Sequence, residues 1–243
     1  MIKLVIFDLD GTLVNAYPAV SQSVNYTLKI LGFAPRSHAQ IKRSVGKGDR
    51  KLMELFVGKK LAERAIVLYR PHHARALRQK GAVRLLPGAL AILKYLKANK
   101  CKLAIASNRP TRFTRIILKQ LGVLKFFDVV LCADRAPKPK PYPDILWAIT
   151  RRLKINKKDA LYVGDMTFDV QCGQRAGVKV VAVATGSSST RELKALKPWG
   201  FTDKITGLRK IIVREDVMSK KLRKGKLKWR SKKANHGSKP GRG

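Results

Sequence analysis

The sequence predicts an α/β fold: a Rossmann-like parallel sheet with helices on both faces, and an all-helical cap inserted near its start. Three observations carry this. Five short apolar, β-branched runs recur with little polar alternation, the pattern of strands buried on both faces. Helical patterns lie between most of them, as parallel strands require. From Asn15 to Leu86 the alternation stops and only helical patterns remain.

The first run, Lys3–Phe7, is a strand that meets the acidic turn Asp8-Leu9-Asp10-Gly11. In the insertion, "AVSQSVNYTLKILG" spaces Val20, Val24, Leu28 and Leu31 as a helix does, and "KKLAERAIVLYRPHHARALRQKG" supplies one or two more. "PGALAILKYLKANK" opens on Pro87-Gly88 and gathers Leu90, Leu93, Tyr95 and Leu96 on one side, leading to the strand Lys102–Ala106. Pro110 and Gly122 punctuate the helix "PTRFTRIILKQLG", ahead of the strand Phe127–Leu131. "YPDILWAITRRLK" precedes the strand Ala160–Val163, and "TFDVQCGQRAG" leads into Lys179–Ala184. The expected organisation is a core from residues 1–14 and 87–218, a cap over 15–86 and a basic tail over 219–243. The tail lacks apolar periodicity and is expected to be disordered.

A chain of 243 residues, 45% of them hydrophobic, has ample apolar surface for a core. Its apolar runs fall short of the roughly 20 residues of a membrane helix. Met1–Phe7 meets Asp8 too soon for a signal peptide, so a cytoplasmic protein is expected. Cys101, Cys132 and Cys172 have no metal-type spacing and are expected to be reduced, buried thiols. The outlier is charge: 53 Lys and Arg face 15 Asp and Glu, a net +38. Ser219–Gly243 holds eight Lys, three Arg and no acid, so most of the excess lies on the body. Such a field draws in phosphorylated metabolites, nucleic acid and anionic membranes alike, and does not choose among them.

Within so basic a chain the acids are informative. On a strand, residues i and i+2 share a side, so Asp8 and Asp10 present two carboxylates at the C-terminal end of the first strand, where open α/β sheets bind ligands. Gly11 permits the sharp turn after them. Two carboxylates so close repel unless a cation or a shared proton intervenes, and oxygen-only ligands suit a hard ion such as Mg²⁺. Asp165 and Asp169 in "YVGDMTFDV" form a second pair, four apart, after the strand Ala160–Val163. Ser107-Asn108 ends another strand just before a helix, where a hydroxyl and backbone N–H groups bind anions, although such a serine also serves as an N-cap. Lys138 and Lys140 sit in a proline-stiffened loop, "APKPKPYPDIL".

Together "DLDGT", "ASN", "KPYP" and "GDMTFD", in that order, resemble the four motifs of the haloacid dehalogenase-like hydrolase superfamily, in its phosphoglycolate phosphatase-like branch. The resemblance implies that Asp8 is the nucleophile, forming an aspartyl-phosphate, and that Asp10 protonates the leaving oxygen and then activates water. It implies Mg²⁺ held by Asp8, the Asp10 backbone carbonyl and Asp165, with Asp169 completing the shell. Ser107 and the Asn108 backbone would bind the phosphoryl group, and Lys140 would neutralise it. Lys138-Pro139-Lys140-Pro141 gives two registers for the lysine; Lys140 is preferred because "PYPDIL" then falls at the usual helix start. Met166 replaces a small hydroxyl residue, and Asn15 stands where relatives often have Asp.

The insertion has the size and place of the family's helical cap, which closes over the site. Its loop "VGKGDR" offers Lys47 and Arg50 to a substrate's second anionic group, or is an ordinary glycine turn with surface charges. His72-His73 are adjacent and so unsuited to one metal ion; surface or packing roles are expected. A small phosphorylated metabolite is the expected substrate, phosphoglycolate by default. A sugar-phosphate mutase of the same branch is the alternative enzyme. A nucleic-acid-associated protein is the alternative class, resting on Trp229 among Lys226, Lys228 and Arg230 in the tail.

Overall fold

The computed structural model describes residues 1–217; the tail Ser219–Gly243 lies outside them. The chain enters through β1 (Leu4–Phe7), then crosses into the insertion along a short antiparallel pair, β2 (Val14–Asn15) with β3 (Arg84–Leu85). Between these two strands lie four helices, α1 (Tyr17–Ile30), α2 (His38–Ser44), α3 (Asp49–Val57) and α4 (Ala62–Ala76). They bury a core of their own, in which Val20, Val24 and Leu28 of α1 meet Ile41, Leu52, Met53, Ile66 and Tyr69. The stretch expected to hold one or two helices is the single helix α4, with Pro71 inside it.

The remainder is the sheet and its covering: β4 (Lys102–Ser107), β5 (Val129–Cys132), β6 (Ala160–Gly164), β7 (Lys179–Val183) and β8 (Gly200–Thr202), with α5 (Ala89–Ala98), α6 (Thr111–Gln120), α7 (Asp144–Arg152), α8 (Thr167–Ala176) and α9 (Thr190–Ala195). Residues 208–217 are helical as well. The six-stranded sheet is wholly parallel, in the order β5-β4-β1-β6-β7-β8. Five of these strands match the apolar runs of the sequence with ends moved by a residue or two. β8 and the β2–β3 pair are not among the expected strands, because strands of two or three residues carry no readable periodicity.

The pleat explains the apolar runs. Val5 and Phe7 of β1 pack with Leu103, Ile105, Leu161 and Val163 under α5 and α6, whereas Leu4 and Ile6 pack with Ala104, Ala106, Ala160 and Tyr162 under α7 and α8. Both faces are apolar, so the central strands need no polar alternation. The chain winds outward from β1 to β4 and β5, then returns to the other side of β1 for β6, β7 and β8. That reversal opens a crevice at the C-terminal ends of β4, β1 and β6, the place where such sheets bind ligands.

Candidate active site

Asp8 is the residue after β1, and its backbone N–H is held by the Val163 carbonyl of β6 at 2.8 Å. Its carboxylate is buried, and Oδ1 accepts a hydrogen bond from Lys140 Nζ at 2.6 Å. Oδ2 has no hydrogen-bond partner among the described residues. Lys140 reaches the site because Asn108 brackets its backbone: the Asn108 Oδ1 accepts from the Lys140 N–H at 2.9 Å, and its Nδ2 donates to the Lys140 carbonyl at 3.0 Å. The same Nδ2 donates to the carbonyl of Gly46, in the loop between α2 and α3, at 2.8 Å, tying cap to core. Lys140 also donates to Asp169 Oδ1 at 2.7 Å, to the Tyr162 hydroxyl at 3.1 Å and to the Ala106 carbonyl at 3.2 Å. Lys138, the other lysine of the ambiguous loop, is exposed with its ammonium 5.1 Å from the centre of the Tyr142 ring.

Asp165 follows β6 and is fully buried; the Thr12 hydroxyl donates to it at 2.8 Å and the Ser187 N–H at 3.1 Å. Asp169, in the first turn of α8, also accepts from the Tyr162 hydroxyl at 2.6 Å and from the Met166 N–H at 3.0 Å. Gly11 closes this corner with φ +81°, and a Cβ there would come 2.6 Å from Asp165 Oδ2 and 2.5 Å from Tyr17 Oη. Asp8, Asp165 and Asp169 offer oxygens that all lie within 4.8 Å of one another.

Burial raises Asp8 to about 7; the Lys140 ammonium opposes that, and Asp169 and Asp10 add to it. Asp165 is pushed well above the ordinary carboxylate value by burial and by Asp8 and Asp169. Burial alone would lower Lys140, but the attraction of Asp169 and Asp8 outweighs it and holds the lysine charged. Three buried carboxylates against one ammonium leave an excess of negative charge on oxygen donors alone. That set could hold a hard divalent cation, and Asp169 is already engaged by Lys140, Tyr162 and the Met166 N–H.

Asp10 lines the same cavity as Asp8, and its charge adds to the rise of the Asp8 carboxyl. Asp10 also takes a bidentate fork from Arg109, Nε to Oδ2 at 2.7 Å and Nη2 to Oδ1 at 3.0 Å. The remaining Nη1 donates to His73 Nε2 of α4 at 2.7 Å. A guanidinium only donates, so Nε2 accepts and the imidazole proton sits on Nδ1, facing Ser23 Oγ at 3.2 Å. Arg109 gave no signal in the sequence because it is one of 53 basic residues. His73 does have a packing role, as expected, but it is also the cap's direct contact to this guanidinium. Ser107 Oγ, the end of β4, accepts from the Arg109 N–H at 3.2 Å and helps set that side chain.

Asp8, Asp10, Ser107, Asn108, Arg109 and Lys140 line one cavity between cap and core, together with Tyr17, Val20, Val45, Leu52, Tyr69 and Phe113. Its accessible volume is about 50 Å³. Met166 contributes its side chain here and packs against Gly46 of the cap loop. Of the two cap cations offered by the sequence, neither lines this cavity. Arg50 turns outward to Glu63 at 2.6 Å, and Lys47 lies 5.6 Å from the centre of the Phe168 ring beside a separate cleft. Asn15 is exposed and accepts from the Tyr17 N–H at 3.2 Å, at the start of α1.

Comparison with known proteins gives the same lineage. The family model for haloacid dehalogenase-like hydrolases matches residues 5–183. A phosphoglycolate phosphatase of Psychrobacter arcticus is 33% identical over 215 residues, 85% of this chain and 94% of its own. A second, from Nitrosospira multiformis, is 33% identical over 203 residues, 80% of this chain and 88% of its own. A solved structure from Haemophilus somnus, named as a predicted phosphoglycolate phosphatase, superposes with a TM-score of 0.80 at 26% identity, over 87% of this chain and 98% of its own. Fold, motif order and relatives agree: the chain belongs to the haloacid dehalogenase-like hydrolases, in their phosphoglycolate phosphatase-like branch, and it is a phosphatase.

Proposed function

We propose that the protein hydrolyses small phosphate monoesters, phosphoglycolate foremost, through an aspartyl-phosphate on Asp8 and with Mg²⁺ as the divalent ion. The observation that carries this reading is the Asp8 carboxylate, one oxygen held by Lys140 and the other unbonded, on the wall of the cavity between cap and core. Asp8 attacks phosphorus and the ester P–O bond breaks, with the leaving oxygen taking a proton from Asp10. Water then attacks the aspartyl-phosphate, returning a proton to Asp10 and freeing Asp8 and phosphate. Ser107 and the Asn108 N–H bind the transferring phosphoryl oxygens, and Lys140 balances their charge. Asp8, the Asp10 carbonyl and Asp165 would hold Mg²⁺, which would supply charge stabilisation to the phosphoryl group.

The relatives named above support phosphoglycolate in particular. The nucleic-acid reading gains nothing from them, and its tail lies outside the described residues. The test is phosphate release from a panel of short esters, with and without Mg²⁺, in wild type and Asp8→Asn. Mg²⁺-dependent release that the variant loses by at least about 1,000-fold is expected, a barrier increase of about 4 kcal/mol. Equal turnover in the two proteins removes Asp8 as nucleophile.

A further inference from the structure

We propose that Arg109 is the receptor for a second anionic group on the substrate, a carboxylate one or two carbons from the ester oxygen. This rests on the phosphatase reading above and names the substrate class that its pocket selects.

The inference starts from what lines the cavity. Among the described lining residues the cations are Lys140 and Arg109. Lys140 is committed to Asp8 and Asp169 at the floor, next to where the phosphoryl group sits. Away from that floor the walls are largely apolar, formed by Val20, Val45, Leu52, Tyr69, Phe113 and Met166, and suit a short carbon arm. The carboxylate Asp49 also lines the cavity, but Arg70 neutralises it from outside with contacts of 2.8 and 3.2 Å. Lys47 and Arg50, the expected grips, are engaged elsewhere. A second anion on the substrate therefore meets one uncommitted donor set, and it belongs to Arg109.

That donor set is held ready. The guanidinium has five N–H groups. Three go to Asp10 and His73, leaving one on each Nη with no protein partner among the described residues. A guanidinium fork matches the paired oxygens of a carboxylate, as it does those of a phosphate, and a site shielded from solvent strengthens the pair. Asp10 and His73 fix the guanidinium from two sides, one on the core and one on the cap, so its free N–H groups are ordered before substrate arrives. Arg109 is two residues from Ser107, so a phosphoryl group at Ser107 directs the rest of a short ester along the guanidinium. The position also couples recognition to chemistry. Whatever binds the free N–H groups of Arg109 sits beside Asp10, which the same guanidinium holds.

The test compares kcat/KM for 2-phosphoglycolate with that for two esters of similar size, neutral 2-hydroxyethyl phosphate and cationic phosphoethanolamine. Wild type, Arg109→Gln and Arg109→Lys are assayed, each first checked by thermal melting. Wild type is expected to prefer phosphoglycolate over both others. Arg109→Gln should cut kcat/KM for phosphoglycolate about 10- to 100-fold more than for hydroxyethyl phosphate, chiefly through KM, so that the preference collapses. Arg109→Lys should restore part of it. An equal loss on all three esters in Arg109→Gln reduces Arg109 to a support of Asp10 and overturns the proposal. So does a wild type that prefers the neutral or cationic ester, a comparison that holds even where the variants fail to fold. No turnover of any ester by wild type overturns the phosphatase reading itself, and this proposal with it.

Discussion

His73 shows how much a single buried side chain is asked to do. It is fully buried, stacked on Tyr69 with ring centroids 4.9 Å apart, and faces the Arg109 guanidinium. Burial and that neighbouring charge push it down to about 2 from the ordinary 6.5. In the unfolded chain the imidazole takes up a proton as pH falls through about 6.5, and in the folded chain it does not. Its contribution to stability is therefore complete above that pH and is lost below it, at up to about 1.4 kcal/mol per pH unit. Asp8 acts in the opposite sense between its ordinary 3.8 and about 7, because the folded state holds that proton more tightly. The difference between two proteins isolates the histidine. His73→Gln keeps an oxygen to accept from Arg109 but cannot titrate, so its melting temperature should fall less than that of wild type between pH 7.5 and pH 5. Parallel melting curves for the two would show that His73 is not the group responsible. None of this was legible in the sequence, where His72-His73 are two adjacent rings with no partner in sight. The Asp pairs were legible, because fifteen acids among 53 bases make each acid conspicuous. Arg109 was hidden by the same arithmetic, and Tyr162 by lying in an apolar strand.

At the scale of elements, the strands of the sheet announce themselves because burial on both faces demands unbroken apolar runs. The turn that follows β1 depends on one backbone position. Gly11 sits at φ +81° in a loop where its N–H donates to the Val14 carbonyl at 2.8 Å and its own carbonyl accepts from the Thr185 hydroxyl. This loop swings the chain out of the sheet and into β2, while packing directly against Asp165. Gly11→Ala meets two obstacles at once, a conformation that L residues rarely adopt and a Cβ 2.6 Å from Asp165 Oδ2. It should destabilise the fold by about 1–3 kcal/mol in urea denaturation. It should also weaken divalent-ion binding, read as a smaller rise in melting temperature on adding Mg²⁺ to the variant than to wild type. An unchanged Mg²⁺ response would mean that the turn does not set the position of Asp165. The glycine was visible in the sequence as a turn former. Its closeness to an acid more than 150 positions away belongs to the tertiary fold.

For the whole molecule, the net charge of +38 must act on both stability and substrate capture, with opposite signs. Like charges distributed over one compact body repel one another, and added salt screens that repulsion, so the melting temperature should rise with sodium chloride. The same field concentrates anionic esters around the cavity, and screening removes the advantage, so kcat/KM should fall over the same range. The groups proposed to carry the reaction are shielded: Lys140 with Asp8 and Asp169 is buried, and Arg109 with Asp10 is largely so, and salt screens such pairs poorly. Surface contacts between cap and core are a different matter. Arg43 donates to the Ser187 carbonyl and pairs with Glu192 at 2.9 Å, and both side chains are well exposed. Such a pair is worth about 0–1 kcal/mol and weakens in salt, which favours cap opening without touching the chemistry. From about 20 mM to 500 mM salt, kcat/KM for a short ester is thus expected to drop by about tenfold or more, with kcat changing far less. The drop should be steeper for phosphoglycolate, which carries an additional negative charge, than for hydroxyethyl phosphate. Steady-state rates at four or five salt concentrations measure both slopes. A kcat that falls in step with kcat/KM would place the effect inside the site, and equal slopes for the two esters would mean that the field does not discriminate by substrate charge.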